Sequence, residues 1–174
     1  MDNIINNILI EVEGIDKSGK DTIAPYITII SNYSCVVNIR GILSQLVYND
    51  KFNRNKDYKL LYKPLIIFLD VDNNDHEIRC TISKEPKINS DKDREAFYLY
   101  IKELEKHGFT ILKFNTSKMT PMQIAIEIKN YLDNLDVNDF ILKSPITISP
   151  LNFYSLKDLK DEDIFYEYKY KEEI

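Results

Sequence analysis

The chain has 174 residues, 44% of them apolar and 29% charged, with a net charge of −5 at neutral pH. A chain of that length buries roughly 70% of its unfolded surface, enough for one full core, so one domain with an appendage is expected. The acidic balance speaks against a duplex nucleic-acid binder, which needs a basic face to release counterions from phosphates. It leaves room for free nucleotides, which need only a few local cations.

No apolar run approaches the roughly 18 residues of a membrane span. Cys35 and Cys80 are far apart and nothing resembles a secretory leader. Reduced thiols and a cytoplasmic location, the host cytoplasm for a phage-encoded chain, are therefore expected. Adding His76 and His107 supplies no tetrahedral zinc set at a recognisable spacing. His76 and Cys80 stand four apart and could share a helix face, although a surface histidine beside a half-buried thiol is the plainer reading.

"NILIEV" (Asn7 to Val12) is short, β-branched and nearly all apolar, as a strand buried on both faces would be. A glycine loop follows, then "TIAPYITIISNY", a helix that Pro25 should kink or delay. "SCVVNI" predicts a second strand and "GILSQLVYNDKF" a helix with Leu43, Leu46, Val47 and Phe52 inward. "PLIIFLDV" (Pro64 to Val71) is the strongest central-strand signal. Ser90 opens a helix with Asp93 three residues on, as in a capping box, and Gly108 stops it. "FTILKF" (Phe109 to Phe114) predicts another strand. In "TPMQIAIEIKNYLDNL", Thr120 caps, Pro121 takes the first position and Gln123 completes the box.

Strands alternating with helices predict an α/β fold, a parallel sheet flanked by helices. In such sheets ligands bind beyond the carboxyl ends of the strands, where the glycine loop lies. Residues 1–135 form this expected domain, and 136–174 an extension. Residues 158–174 carry seven acids against three lysines, a local net of −4, together with Phe165 and three tyrosines. Such a tail is suited to docking on the core, on a second copy or on a protein partner.

The glycine loop carries the chemistry. Gly14, Gly19 and Lys20 stand at G-x4-G-K spacing between a strand and a helix. In such loops converging backbone N–H groups and a helix N-terminus hold phosphates, the lysine neutralises the β and γ oxygens, and a hydroxyl binds magnesium. Asp21 occupies the hydroxyl position. Thr22 is the nearest replacement, about 100° further round the helix.

"EGIDKSGK" resembles the loop of thymidylate kinases and the wider P-loop nucleoside monophosphate kinases. "SGKDT" is similar to the loop of phage deoxynucleoside monophosphate kinases and animal-type phosphomevalonate kinases, where Asp follows the lysine in working enzymes. The resemblance runs over about 135 residues. Arg40, Ser44, Val47 and Tyr48 in "IRGILSQLVYN" match a thymidylate-kinase stretch. "KPLIIFLDVD" resembles a family strand that ends here in Asp70 and Asp72. "IRCTISKEPKINSDKDREAFYLYIKEL" is similar in layout to the lid and its helix, and "ILKFNTSKMTPMQIAIEI" to the last strand, loop and helix.

The resemblance implies a P-loop NTPase-type sheet and transfer of the ATP γ-phosphate to a deoxynucleoside monophosphate. By it, Gly14, Lys17, Ser18, Gly19 and Lys20 hold ATP phosphates, and Asp21 or Thr22 takes Mg2+. Asp16 faces the acceptor sugar, Arg40 grips the acceptor phosphate with Ser44 beside it, and Arg79 and Lys84 act with Lys20 as cations in transfer.

The chain departs from the family in three places. Ile39 stands where the family has the acid that partners Arg40. Only about a dozen residues separate Thr22 from Cys35, so one strand with its own arginine is expected to be missing. The chain holds just four arginines. Bland readings stand beside the functional ones: Arg40, Arg79, Lys84, Lys87 and Arg94 as surface charges, Asp70 and Asp72 as helix caps, Tyr48 and Phe52 as core or rim aromatics. A kinase-fold protein without turnover, acting by nucleotide sensing or through its tail, is the alternative to the enzyme. A kinase for a non-nucleotide phosphate acceptor is a third reading.

Overall fold

The computed structural model describes residues 8–32, 35–54, 56–85 and 90–154, with residue 90 by its backbone only. Four strands form one parallel sheet: β1 (Ile8–Glu13), β2 (Cys35–Ile39), β4 (Leu65–Asp70) and β5 (Ile111–Asn115), in the order β2-β1-β4-β5. A separate antiparallel pair joins β3 (Tyr58–Leu60) to β6 (Ile146–Ile148). Five α-helices flank the sheet: α1 (Lys20–Ile30), α2 (Ile42–Lys51), α3 (Asn73–Ser83), α4 (Ser90–Lys106) and α5 (Pro121–Asp133).

The apolar run of β4 is buried on both faces. Leu65, Ile67 and Leu69 pack with Ile23 and Ile27 of α1 and Ile124 and Ile128 of α5. Ile66 and Phe68 turn the other way, onto α2 and α4, against Leu43, Val47, Phe97 and Ile101. Period-two alternation thus distributes one strand between two cores. Each fully buried side chain of this kind contributes about 1.5–3 kcal/mol.

Of the two effects expected of Pro25, a kink or a late start, the late start is not found. Gly19 is the N-cap of α1, which begins at Lys20, and the helix continues through Pro25. The carbonyl that loses its partner to the proline is that of exposed Asp21, which water can reach. The capping box at Thr120 and Gln123 is present, with Pro121 in the first turn. The one expected at Ser90 rests on a side chain outside the described residues.

Among the described residues no strand stands between α1 and β2, so the parallel sheet is the four-stranded one expected for a chain with a strand missing. After Asp136 the chain makes a 3-10 turn (Val137–Phe140) and β6. Ile148 of β6 is buried in the α2/α4 core. Asp50, itself buried, accepts from the Tyr100 hydroxyl (2.8 Å) and the Phe153 amide (3.0 Å), and Asp93 accepts from Lys51 (3.1 Å) and the Tyr154 hydroxyl (2.7 Å). These contacts seat the segment through Tyr154 on the body. The acidic run 158–174 lies outside the described residues. No helix among the described residues is long and apolar enough to cross a membrane.

Candidate phosphate-binding site

β1 is flanked by β2 on one side and β4 on the other, so the strand order reverses there and a crevice opens beyond its carboxyl end. The loop Gly14–Gly19 fills that position and leads into α1. Gly14 must be glycine: a Cβ would stand 2.2 Å from the Leu69 carbonyl oxygen, and its φ is +142°. Gly19, in the left-handed region at φ 103°, turns the chain into the helix.

Lys20 is buried (4% exposed) and its Nζ donates to the carbonyls of Gly14 (2.9 Å) and Ile15 (2.7 Å). Burial pushes its ammonium down to about 8, with Asp16 pulling up and Arg40 adding to the push down. The Ser18 hydroxyl is buried without a partner among the described residues. The amides of Lys17, Gly19, Lys20 and Asp21 likewise have no acceptor among the described residues. Amides not used by the chain itself, at the N-terminus of a helix, are suited to an anion.

The cleft above the loop has a volume of about 660 Å³. Lys17, Gly19, Lys20, Asp21 and Thr22 line it from the loop and α1, Asp16 and Arg40 from one end, and Arg79, Glu85, Thr116 and Met119 from the other. Arg40, in the left-handed region at φ 64°, donates to Asp16 at 2.6 Å. Lys17 donates to Glu85 at 2.8 Å, a contact that holds its ammonium above the usual range.

Among the expected site residues, Gly14, Lys17, Ser18, Gly19 and Lys20 come together in the loop, with Asp16 and Arg40 beside them. Asp21 and Thr22 are exposed at the first turn of α1 and line the cleft. Ser44 does not line it. It is buried, and its hydroxyl and amide are given to Glu13. Lys84 caps α3 at φ 56° and is exposed, with no place in the cleft wall; its neighbour Glu85 is there instead. Arg79 lines the cleft, but its guanidinium donates to the Lys17 carbonyl (3.0 Å), the Thr116 hydroxyl (2.9 Å) and the Thr116 carbonyl (3.1 Å).

The surface histidine of the plainer reading is not found. His76 is 3% exposed, its Nε2 lies 2.9 Å from the Asp16 carbonyl, and the Cys80 Sγ is 3.7 Å from the same nitrogen. Arg94 is fixed by Asp70 (2.8 Å), the Val71 carbonyl (2.8 Å) and Asn73 (2.5 Å). Asp72 occupies the N-cap position of α3. Tyr48 stacks on Phe52 and meets Phe97 edge-on, as core aromatics do.

Sequence reasoning missed Glu11 and Glu13. Both sit on the β1 face toward α2, 1% and 0% exposed. Glu13 accepts from the amides of Gly41 (2.8 Å) and Ser44 (3.1 Å), and Glu11 from the Ile42 amide (2.9 Å) and the Tyr62 hydroxyl (3.1 Å). Together they cap α2, whose N-terminus is therefore taken by the chain's own carboxylates. Burial pushes Glu11 up to about 7, and Glu13 upward as well. The signal was the period of two in "EVE", which puts both acids on one face.

The residues present fit a polyphosphate: four residues whose amides have no acceptor among the described residues line one cleft, the buried Lys20 among them. They also fit Mg2+, which takes one or two protein oxygens and completes its shell with phosphate and water. Among the described residues no cluster of three His, Cys, Asp or Glu could hold a metal alone.

No protein-family model matches this chain, and no curated protein does. Solved structures do resemble it. The YorR protein from Bacillus subtilis, in complex with phosphorylated GDP, aligns with a TM-score of 0.54 at 17% identity, over 72% of this chain and 95% of that one. The thymidylate kinase from Candida albicans aligns with a TM-score of 0.48 at 17% identity, over 83% of this chain and 99% of that one. The four-stranded parallel sheet with a glycine loop at its switch point, together with the alignment to YorR, gives this chain a P-loop kinase-like α/β fold.

Proposed function

We propose that this chain is a nucleotide kinase that moves the γ-phosphoryl group of ATP to a deoxynucleoside monophosphate, in the manner of the phage enzymes. The observation that carries the reading is the loop itself. Lys17, Gly19, Lys20 and Asp21, whose four amides have no acceptor among the described residues, line one cleft, and the Ser18 hydroxyl among them is buried without a partner among the described residues.

Phosphoryl transfer needs little beyond positioning and cationic stabilisation of spreading negative charge. An acceptor phosphate oxygen attacks the γ-phosphorus and forms one P–O bond as the bond to the β–γ bridging oxygen breaks, and ADP leaves with the electron pair. Lys20 shifts from the Gly14 and Ile15 carbonyls to the phosphate oxygens. Arg40, at the Asp16 end, holds the acceptor phosphate while Asp16 meets the sugar. Magnesium would screen the triphosphate charge when bound, and Asp21 and Thr22, which line the cleft, would hold it.

The alternative, a binding protein of the same fold without turnover, is favoured by one specific observation. Arg40 and Lys17 are tied to carboxylates, and Arg79 to loop carbonyls, within the cleft.

One experiment separates the two. Mg-ATP binding is measured calorimetrically for the wild type and Lys20→Ala, and ADP formation is followed with each of the four deoxynucleoside monophosphates. The kinase reading expects turnover with at least one of them and a loss of affinity of about tenfold or more in Lys20→Ala. Saturable binding without turnover establishes the alternative. Unchanged affinity in Lys20→Ala removes both.

A further inference from the structure

Three successive carbonyls of the phosphate loop are each held by a side chain from outside it. The Asp16 carbonyl lies 2.9 Å from Nε2 of His76, the Lys17 carbonyl 3.0 Å from Nη1 of Arg79, and the Ser18 carbonyl 2.8 Å from Oγ1 of Thr116.

These three side chains form one unit. His76 and Arg79 are three apart on α3 and so share a face. Arg79 donates to the Thr116 hydroxyl at 2.9 Å. That hydroxyl has a single proton and two carbonyls in reach, those of Ser18 at 2.8 Å and Asp70 at 3.1 Å. The Ser18 carbonyl is the nearer of the two, and the Asp70 carbonyl already accepts the Thr116 amide at 2.8 Å.

A peptide unit is planar and trans, so its C=O and N–H point in opposite directions. Pinning the carbonyls of Asp16, Lys17 and Ser18 sets the directions of the amides of Lys17, Ser18 and Gly19. Of these the Ser18 amide is used within the loop, by the Ile15 carbonyl at 3.2 Å, whereas those of Lys17 and Gly19, with Lys20 and Asp21 after them, have no acceptor among the described residues.

We infer that Thr116, Arg79 and His76 are positioning residues that hold the phosphate loop in its anion-binding shape before the anion arrives. The inference rests on the loop being the phosphate site of the function proposed above, but not on phosphoryl transfer. Arg79 on this view acts through the Lys17 carbonyl. Preorganised donors bind charge without the cost of turning the backbone at the moment of binding. The unit also makes α3 part of the site, because a shift of that helix moves two of the three carbonyl anchors together.

The test uses the 174-residue chain and inorganic pyrophosphate, which carries no base, with no phosphoryl acceptor present. Affinity is measured by calorimetry for the wild type, Thr116→Val and Thr116→Ser. The valine is nearly isosteric and lacks the hydroxyl, while the serine keeps it.

The expected result is a loss of about tenfold in Thr116→Val, the equivalent of one net hydrogen bond, with affinity restored in Thr116→Ser. Amide hydrogen exchange of Gly19 and Lys20 in the empty protein rises in the valine variant alone. Arg79→Gln, at a half-exposed position, gives the same pattern if Thr116→Val does not fold. Wild-type affinity in Thr116→Val or Arg79→Gln, or no restoration by serine, overturns the inference, as does a wild type that does not bind pyrophosphate. Failure of phosphate transfer with intact pyrophosphate binding removes the kinase reading and leaves this one standing.

Discussion

Arg40 finds its acid in the phosphate loop: its Nη2 lies 2.6 Å from Oδ1 of Asp16, and not beside a neighbour on its own strand. Ile39 leaves no carboxylate next to Arg40, and the loop supplies one. The pair is half-exposed, with side chains 31% and 46% accessible. Its contribution to folding is therefore about 1 kcal/mol or less. Asp16→Asn is expected to leave the thermal midpoint nearly unchanged. It removes the carboxylate charge beside Arg40, so inorganic phosphate binds a few-fold tighter at low salt, whereas turnover with a deoxynucleoside monophosphate falls if Asp16 meets the sugar. Titration and a rate assay on the same protein check both arms.

Lys17 and Glu85 close the other end of the cleft at 2.8 Å. A polyphosphate that engages Lys17 has to displace this carboxylate and tolerate its charge. Glu85→Gln is expected to raise Mg-ATP affinity about threefold at low ionic strength, the scale of an exposed ion pair, and the gain shrinks in high salt as screening removes the repulsion. Equal affinities at all salt concentrations would show that the pair does not compete with the ligand.

Glu11 makes stability depend on pH. Its folded value of about 7 lies above the ordinary 4.5, so between those limits the folded state binds more protons than the unfolded one. Stability from this group falls as pH rises from about 4.5 to 7, and the cost is complete above that. The shift corresponds to a cost on the order of 3 kcal/mol. Glu11→Gln keeps an oxygen for the Ile42 amide and is expected to unfold at higher urea than the wild type near pH 8. The two should converge near pH 4, which chemical denaturation at several pH values tests.

Burial holds the Lys20 ammonium down at about 8. A bound polyphosphate favours the charged form and raises that value, so binding is linked to proton uptake above about pH 8. Affinity for Mg-ATP is expected to be flat through neutral pH and to fall as pH rises past 8. Calorimetry in buffers of different ionisation enthalpy should show net uptake near pH 8.5 and none near 7. Lys20→Arg abolishes the pH dependence, because a guanidinium does not titrate there.

Several side chains acquire meaning only from what the fold brings beside them. Glu11 and Glu13 read as acids on a strand face, yet they cap α2 because the crossover from β2 returns that helix over β1. Ser44 matched a family position, but Glu13 stands in front of it. His76 carries no local sign of burial, and the loop it supports is 60 residues away. β3 and β6 are three residues each, too short for a periodic signal, and exist because they pair across 86 residues of chain.

The sequence by itself determined the four parallel strands, the helices α1, α2, α4 and α5, and the loop. Local rules act within a few residues: the unbroken apolar run in "PLIIFLDV" for a strand buried on both faces, the Thr120–Gln123 box for α5, and glycine at 14 and 19 for a turn no other residue can make. Tertiary structure alone decided which charges meet. Asp16 with Arg40, Lys17 with Glu85, and the three anchors of the loop carbonyls join residues 24 to 98 positions apart. Such partners are chosen by the order of strands in the sheet and the helices packed on it, a long-range outcome that no window of sequence contains.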